Sequence, residues 1–206
     1  MGGVDEVGRG AWAGPLTVAV VVIGASPGPM PRGLRDSKLL VEERREKLYG
    51  PVVSWARAWG VGHVSPADCD RLGMTAALRL ASRRAFLALP PDLLPDAVVL
   101  DGNFDYVTPL EAPGLFDEDP LPAGWKPVVE TVIKGDARCM SVAAASILAK
   151  VSRDRLMRAD AACYPGFDFD RNKGYPSQTH QLALRGYGLT AVHRRSWSYV
   201  EDLPWR

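Results

Sequence analysis

Residues 16–23 read LTVAVVVI, from Leu16 to Ile23, apolar throughout except for Thr17 and rich in β-branched side chains. A strand with one wet face alternates polar and apolar residues; a run without alternation is predicted to be a central strand covered on both faces. Burying both faces requires helices on either side. The rest of the chain offers them, and reads as strands interleaved with helices, an α/β domain. Upstream of this strand, Asp5-Glu6 and the turn Gly8-Arg9-Gly10 follow a short apolar start. Downstream, residues 25–35 are rich in Pro and Gly and read as a surface loop. Residues 42–59 are predicted to be a helix interrupted near Gly50-Pro51. Ser65-Pro66 is a helix cap followed by a first-turn proline, opening a helix expected to run to about Leu89. Residues 97–100 (AVVL) form a short buried strand closed by Asp101-Gly102, and residues 128–133 form another, closed by Lys134-Gly135-Asp136. Residues 140–162 make a long helix with a small-residue face at Ala143, Ala144, Ala145 and Ser146. Residues 104–125 carry Asp105, Glu111, Asp117, Glu118 and Asp119 and are read as an exposed acidic insertion. From Tyr164 onward the texture turns aromatic, glycine-rich and basic, with two short helices expected. The organisation expected is a catalytic domain over 1–163 and a small helical region over 164–206.

Composition excludes several classes. The chain has 206 residues, 47% hydrophobic and 24% charged, so neither disorder nor a coiled coil is expected. A net charge of +1 supplies no global field to recruit a polyanion, which leaves charged partners to local patches. Three separated cysteines fit a reducing compartment and argue against a disulfide framework or a zinc site. The longest apolar run is about half of what a bilayer needs. The expectation is a soluble cytoplasmic monomer without a membrane partner.

The acids at strand ends carry the chemistry. Asp5 and Glu6, Asp101, and Asp136 each stand beside a glycine-containing turn. Four carboxylates without His or Cys among them suit a hard divalent ion, Mg²⁺ or Mn²⁺, in oxygen coordination. Two such ions about 3.5–4 Å apart can cleave a phosphodiester. Taken singly, an Asp before Gly is equally a turn residue; the pair Asp5-Glu6, interrupting a core strand, is less easily explained that way.

The blocks D-E-V-G-R-G at 5–10, D-S-K at 36–38, D-G at 101–102, K-G-D at 134–136, SVAAASILAKVSRD at 141–154, N-K-G-Y-P-S at 172–177 and H-R-R-S-W at 193–197 occur in the order seen in ribonuclease HII. The chain resembles that family over nearly its whole length. The resemblance implies a ribonuclease H-like mixed sheet flanked by helices, with a small C-terminal helical region. It also implies a metal-dependent endonuclease acting on ribonucleotides in duplex DNA and on RNA–DNA hybrids, in ribonucleotide and primer removal. Its four catalytic and metal-binding acids map to Asp5, Glu6, Asp101 and Asp136, with two ions expected. Gly8, Arg9 and Gly10 map to the turn that reads the ribose 2′-hydroxyl, together with Tyr175. Arg9 stands where the sister family, ribonuclease HIII, typically has threonine. Lys38, Lys150, Lys173, Arg194 and Arg195 are candidate phosphate contacts, and Ser146 is either a further donor or a packing residue. Leu39 departs from the second lysine usual after D-S-K. His180 and His193 invite a general-base reading that a metal site does not require, and His193 is read as structural. Two other readings are kept open: an HIII-type hybrid nuclease, and an inert nucleic-acid-binding module of the same fold.

Overall fold

A computed structural model describes residues 1–108, 121–122 and 124–203. Five strands form one mixed sheet: β1 (Gly2–Val7), β2 (Leu16–Val22), β3 (Ala58–Val64), β4 (Ala97–Asp101) and β5 (Val128–Val132). Their order is β3-β2-β1-β4-β5, with β1, β2 and β3 antiparallel neighbours and β1, β4 and β5 parallel. Every residue of β2 is buried, as its unbroken apolar run requires. Alternation along the strands then sorts side chains to two layers. Val4, Leu16, Val18, Val20 and Val22 face one core with α3 (Met74–Leu87); Ala19 and Val21 face a second with α1 (Glu42–Trp55) and α4 (Met140–Cys163).

The long helix α4 comes against β1 itself. A Cβ on Gly3 would stand 2.2 Å from the carbonyl carbon of Ser141, so only glycine allows this approach. The small residues Ala143, Ala144, Ala145 and Ser146 continue that contact and are all buried. A third apolar cluster joins Ala13 and Met157 to Phe167, Phe169, Ala183, Leu184 and Tyr199. It brings α5 (Phe169–Asn172) and α6 (Gln178–Tyr187) onto the end of α4, beside the segment that links β1 to β2. Among the described residues no helix is long and apolar enough to cross a membrane.

Four expectations are corrected. Helix α1 runs unbroken through Pro51 to Trp55. Leu48 and Val52 bury it in the α4-side core, and ion pairs of Glu42 and Glu46 with Arg158 and of Glu46 with Arg155 tie it to α4, while the proline removes one N–H. The residues beyond it form β3. Its Gly60 and Gly62 obscure the strand pattern because α3 packs on the bare backbone, where a Cβ at either would meet an α3 carbonyl at 2.0 Å. The helix expected over 65–89 is two, α2 (Pro66–Leu72) and α3, parted at Gly73, whose φ is +75°. The segment expected to be an exposed acidic insertion is buried at its start: Tyr106 and Val107 join the α3-side core, with Leu121 and Trp125 packed against it. Residues 109–120 and 123 of that segment lie outside the described residues.

Candidate active site

Sheet register builds the acidic centre. Parallel pairing of β1 with β4 ends at Val4 opposite Leu100, so the next residues, Asp5 and Asp101, stand side by side where the two strands part, β1 continuing to Val7 against β2. The chain leaving β5 turns through Lys134, in the left-handed region at φ +57°, into a single 3-10 turn that carries Asp136. Gly135 in that turn donates its N–H to Asp101 Oδ1 at 2.7 Å, locking the two loops together. One carboxylate oxygen from each of Asp5, Asp101 and Asp136 lies within 4.8 Å of the others. Opposite ligands on a Mg²⁺ ion are about 4.2 Å apart, twice its usual bond length, so this all-oxygen set fits a divalent ion with little adjustment.

Glu6 follows Asp5 on the strand and therefore points to the opposite face. Its carboxylate lies outside the three-acid cluster, accepting the Tyr106 hydroxyl at 2.9 Å and lying 3.9 Å from the Arg9 guanidinium. Burial, then the adjacent Glu6 charge, pushes the Asp5 carboxyl well above its usual range, and burial raises Glu6. Burial likewise raises the Tyr106 phenol. The cluster is thus short of positive charge. Lys38 supplies one, its ammonium 3.0 Å from Asp136. Burial works against that ammonium, but the bond to Asp136 outweighs it and raises the pKa.

A cleft of about 260 Å³ opens beside these acids. Asp5, Glu6, Gly8, Arg9, Gly10, Lys38, Ser146, Lys150 and Tyr175 all line it, from positions 170 residues apart in sequence. Gly8 has φ +88°, and a Cβ there would meet Arg153 Nε at 2.3 Å, so both conformation and space demand glycine. The Gly8 amide donates to the Tyr175 hydroxyl at 3.1 Å. Around Gly10 the space is open.

Two buried arginines hold this arrangement from below. Arg153 donates to the carbonyls of Ala13, Pro15 and Lys173 at 2.8–2.9 Å, and its guanidinium lies 5.3 Å from the Tyr175 ring centre. Arg194 donates to Arg9 O at 3.1 Å and Gly14 O at 3.2 Å. Arg194 was expected to meet phosphate, but it is fully buried, its charge directed into the backbone of the Gly-Arg-Gly turn. Lys173, expected in the same role, is 4% exposed and paired with Glu42 Oε2 at 3.0 Å, with a further bond to the Asp170 carbonyl. Ser146 is buried too, its hydroxyl bonded to Ser37 at 2.7 Å, and its proximity to the Asp5 carboxyl favours the charged form of that acid. Lys150 is 21% exposed and paired with Asp154 at 2.5 Å. Tyr106 and Ser37 went unnoticed in the sequence. Ser37 lies within the D-S-K block and Tyr106 within the acidic segment, where the charged neighbours draw the eye, and each meets its partner across 100 residues or more of chain.

The family model for ribonuclease HII matches residues 2–200. The ribonuclease HII of Streptomyces avermitilis is 49% identical over 99% of this chain and 79% of its own length. That of Thermus thermophilus is 44% identical over 99% of this chain and 89% of its own. Among solved structures, ribonuclease H2 from Pyrococcus horikoshii superposes with a TM-score of 0.73 at 26% identity, covering 98% of this chain and 95% of that one. The ribonuclease HII of Archaeoglobus fulgidus, solved in complex with PCNA, gives 0.72 at 27% identity, covering 100% and 97%. With the mixed sheet and the acids at its strand ends, these matches are decisive: the chain belongs to the ribonuclease HII family, whose members are ribonuclease H-type nucleases.

Proposed function

We propose that this chain is an endoribonuclease that hydrolyses the phosphodiester 5′ of a ribonucleotide embedded in duplex DNA, and the RNA of RNA–DNA hybrids, serving ribonucleotide and primer removal. The observation that carries this reading is the bond from the Gly8 amide to the Tyr175 hydroxyl beside the acid cluster. Because Gly8 is the donor, the hydroxyl keeps its own proton to offer to a ligand in the cleft. A ribose 2′-hydroxyl is a group that accepts such a bond and that DNA lacks. The Tyr175 ring, lined up over Arg153, presents a face for the following sugar, and a deoxyribose packs there without an extra hydroxyl to bury. Asp5, Glu6, Asp101 and Asp136 would hold two divalent ions, Mg²⁺ or Mn²⁺, which supply Lewis-acid stabilisation and ease deprotonation of the attacking water. Arg9, Lys38 and Lys150, exposed or half-buried around the cleft, would position the phosphate backbone. In this reading residues 1–163 carry the acids and 164–206 complete the substrate cleft through Tyr175.

The test is incubation with Mg²⁺ and three duplexes: all DNA, DNA with one ribonucleotide, and a continuous RNA–DNA hybrid. Cleavage of the second and third but not the first is expected. Cleavage of the hybrid alone would replace this reading with the HIII-type one, and binding without cleavage of any duplex would favour an inert module.

A further inference from the structure

The H-R-R-S-W loop delivers two consecutive buried residues to the two halves of the Gly8–Tyr175 contact. Arg194 donates to the Arg9 carbonyl, on the glycine side. His193 reaches the tyrosine side through His180, the two Nε2 atoms being 2.9 Å apart and His180 Nδ1 lying 3.0 Å from the Tyr175 carbonyl. Both ends of this chain are chemically unambiguous. At one end the Thr190 backbone N–H, which can only donate, points at His193 Nδ1 at 3.0 Å, and the Thr190 hydroxyl, 2.8 Å from the same nitrogen, is free to donate there as well. At the other, the Tyr175 carbonyl can only accept. One arrangement satisfies both: His193 carries its proton on Nε2 and donates it to His180 Nε2, and His180 carries its proton on Nδ1 and donates it to Tyr175. A further proton on either ring would set two donors face to face. The surroundings favour neutrality, since Phe169 and Phe167 pack at 5.3 and 6.0 Å from the His180 ring and at 5.8 and 5.0 Å from that of His193. The rings are 0% and 2% exposed.

We infer that His180 and His193 form a neutral, single-tautomer relay that positions Tyr175 against Gly8, making them positioning residues for the choice of the embedded ribonucleotide. This rests on the proposed reading of Tyr175. The peptide before Tyr175 is pinned on both sides, the Tyr175 N–H donating to Asn172 O at 2.9 Å and Gly174 O accepting from Trp12 and Ala13; the peptide after it, which has no N–H because Pro176 follows, is held through the Tyr175 carbonyl. A tilt there is amplified at the hydroxyl, the far end of the side chain.

Two variants and one spectrum test this. His180→Phe keeps an aromatic ring among Phe167 and Phe169 and removes the donor; His180→Asn restores an N–H near the position of Nδ1. The selectivity read is kcat/KM for a single embedded ribonucleotide divided by kcat/KM for a continuous hybrid. His180→Phe is expected to lower it about tenfold or more, in keeping with the cost of misplacing a contact by an ångström, and His180→Asn to recover most of the loss. Unchanged selectivity in His180→Phe, or equal losses on both substrates, overturns the proposal. Independently of any variant, ¹⁵N spectra of the wild-type imidazoles should show His180 protonated on Nδ1 and His193 on Nε2, both neutral at pH 7. The opposite tautomer of His180, or a cationic ring, overturns it as well. Failure of the wild type to cut a single ribonucleotide would instead defeat the reading of Tyr175, and the spectrum would still judge the relay.

Discussion

The Tyr175 hydroxyl accepts the Gly8 amide proton at 3.1 Å, joining residues 167 positions apart at the mouth of the acidic cleft. The bond sets the direction of the remaining hydroxyl proton and holds the glycine turn at a fixed height above it. Tyr175→Phe leaves the ring and removes both effects, leaving the amide of buried Gly8 without that partner. It should lower kcat/KM on a duplex with one ribonucleotide by roughly 5- to 150-fold, the range for about 1–3 kcal/mol. Tyr175→Ala, which also loses the stacking face, should fall further, as steady-state kinetics on that duplex would show.

Asp5→Asn and Asp136→Asn should each abolish cleavage while preserving the fold, since the amide keeps the volume and removes the charge. Burial holds the Asp5 carboxyl above its ordinary range, so its ionisation costs stability as pH rises through and beyond that range. In EDTA at pH 8, Asp5→Asn should therefore melt above the wild type. Adding Mg²⁺ should raise the wild-type melting temperature and leave that of the variant nearly unmoved. Calorimetry with and without Mg²⁺ reads both outcomes, and near-normal turnover by either variant would remove these acids from the centre.

Exposure separates the cations that can meet a phosphate from those that cannot. The side chains of Lys38 and Arg9 are 71% and 59% exposed, whereas Lys173 and Arg194 are buried. Lys38→Ala should lower the salt slope of duplex binding by about one unit. Lys173→Ala and Arg194→Ala should leave the slope unchanged and instead destabilise the chain, at about 1–3 kcal/mol for each buried group left unpaired. Fluorescence anisotropy across a salt series, beside urea denaturation, distinguishes the two behaviours.

The buried histidines predict the acid limb of stability. Burial, with His180 and Arg195 nearby, holds His193 down at about 3 from an ordinary value of 6.5. The unfolded chain then takes up the proton first, so the contribution of neutral His193 is complete above about pH 6.5 and is lost as pH falls towards 3. The loss approaches about 1.4 kcal/mol per pH unit in that window. His193→Gln should flatten the dependence of the urea midpoint on pH between 6.5 and 4; an unchanged slope would place the acid sensitivity elsewhere.

The centre of the sheet and the positions of the acids were legible because a two-sided apolar strand and carboxylates beside glycine turns both leave local patterns. Strand β3 was not, since Gly60 and Gly62 are chosen by the helix lying on them and weaken the strand pattern. Lys173 and Arg194 misled for a related reason. A basic residue in a basic segment reads as surface, and nothing local reveals that Glu42 or the carbonyls of Arg9 and Gly14 await it inside. Tyr106 shows the same limit: its hydroxyl serves Glu6, 100 residues earlier, from within a segment whose composition reads as solvent-exposed.

The central claim is that the acid cluster and the Gly8–Tyr175 pair act on the same nucleotide. It is tested most directly by mapping the cut in an end-labelled duplex that carries one ribonucleotide, in Mg²⁺, with Asp136→Asn as the blank. A single incision immediately 5′ of the ribonucleotide, leaving a 3′-hydroxyl and a 5′-phosphate, is the result this account predicts. An incision 3′ of the ribonucleotide, or an intact strand beside a well-cut continuous hybrid, would contradict it.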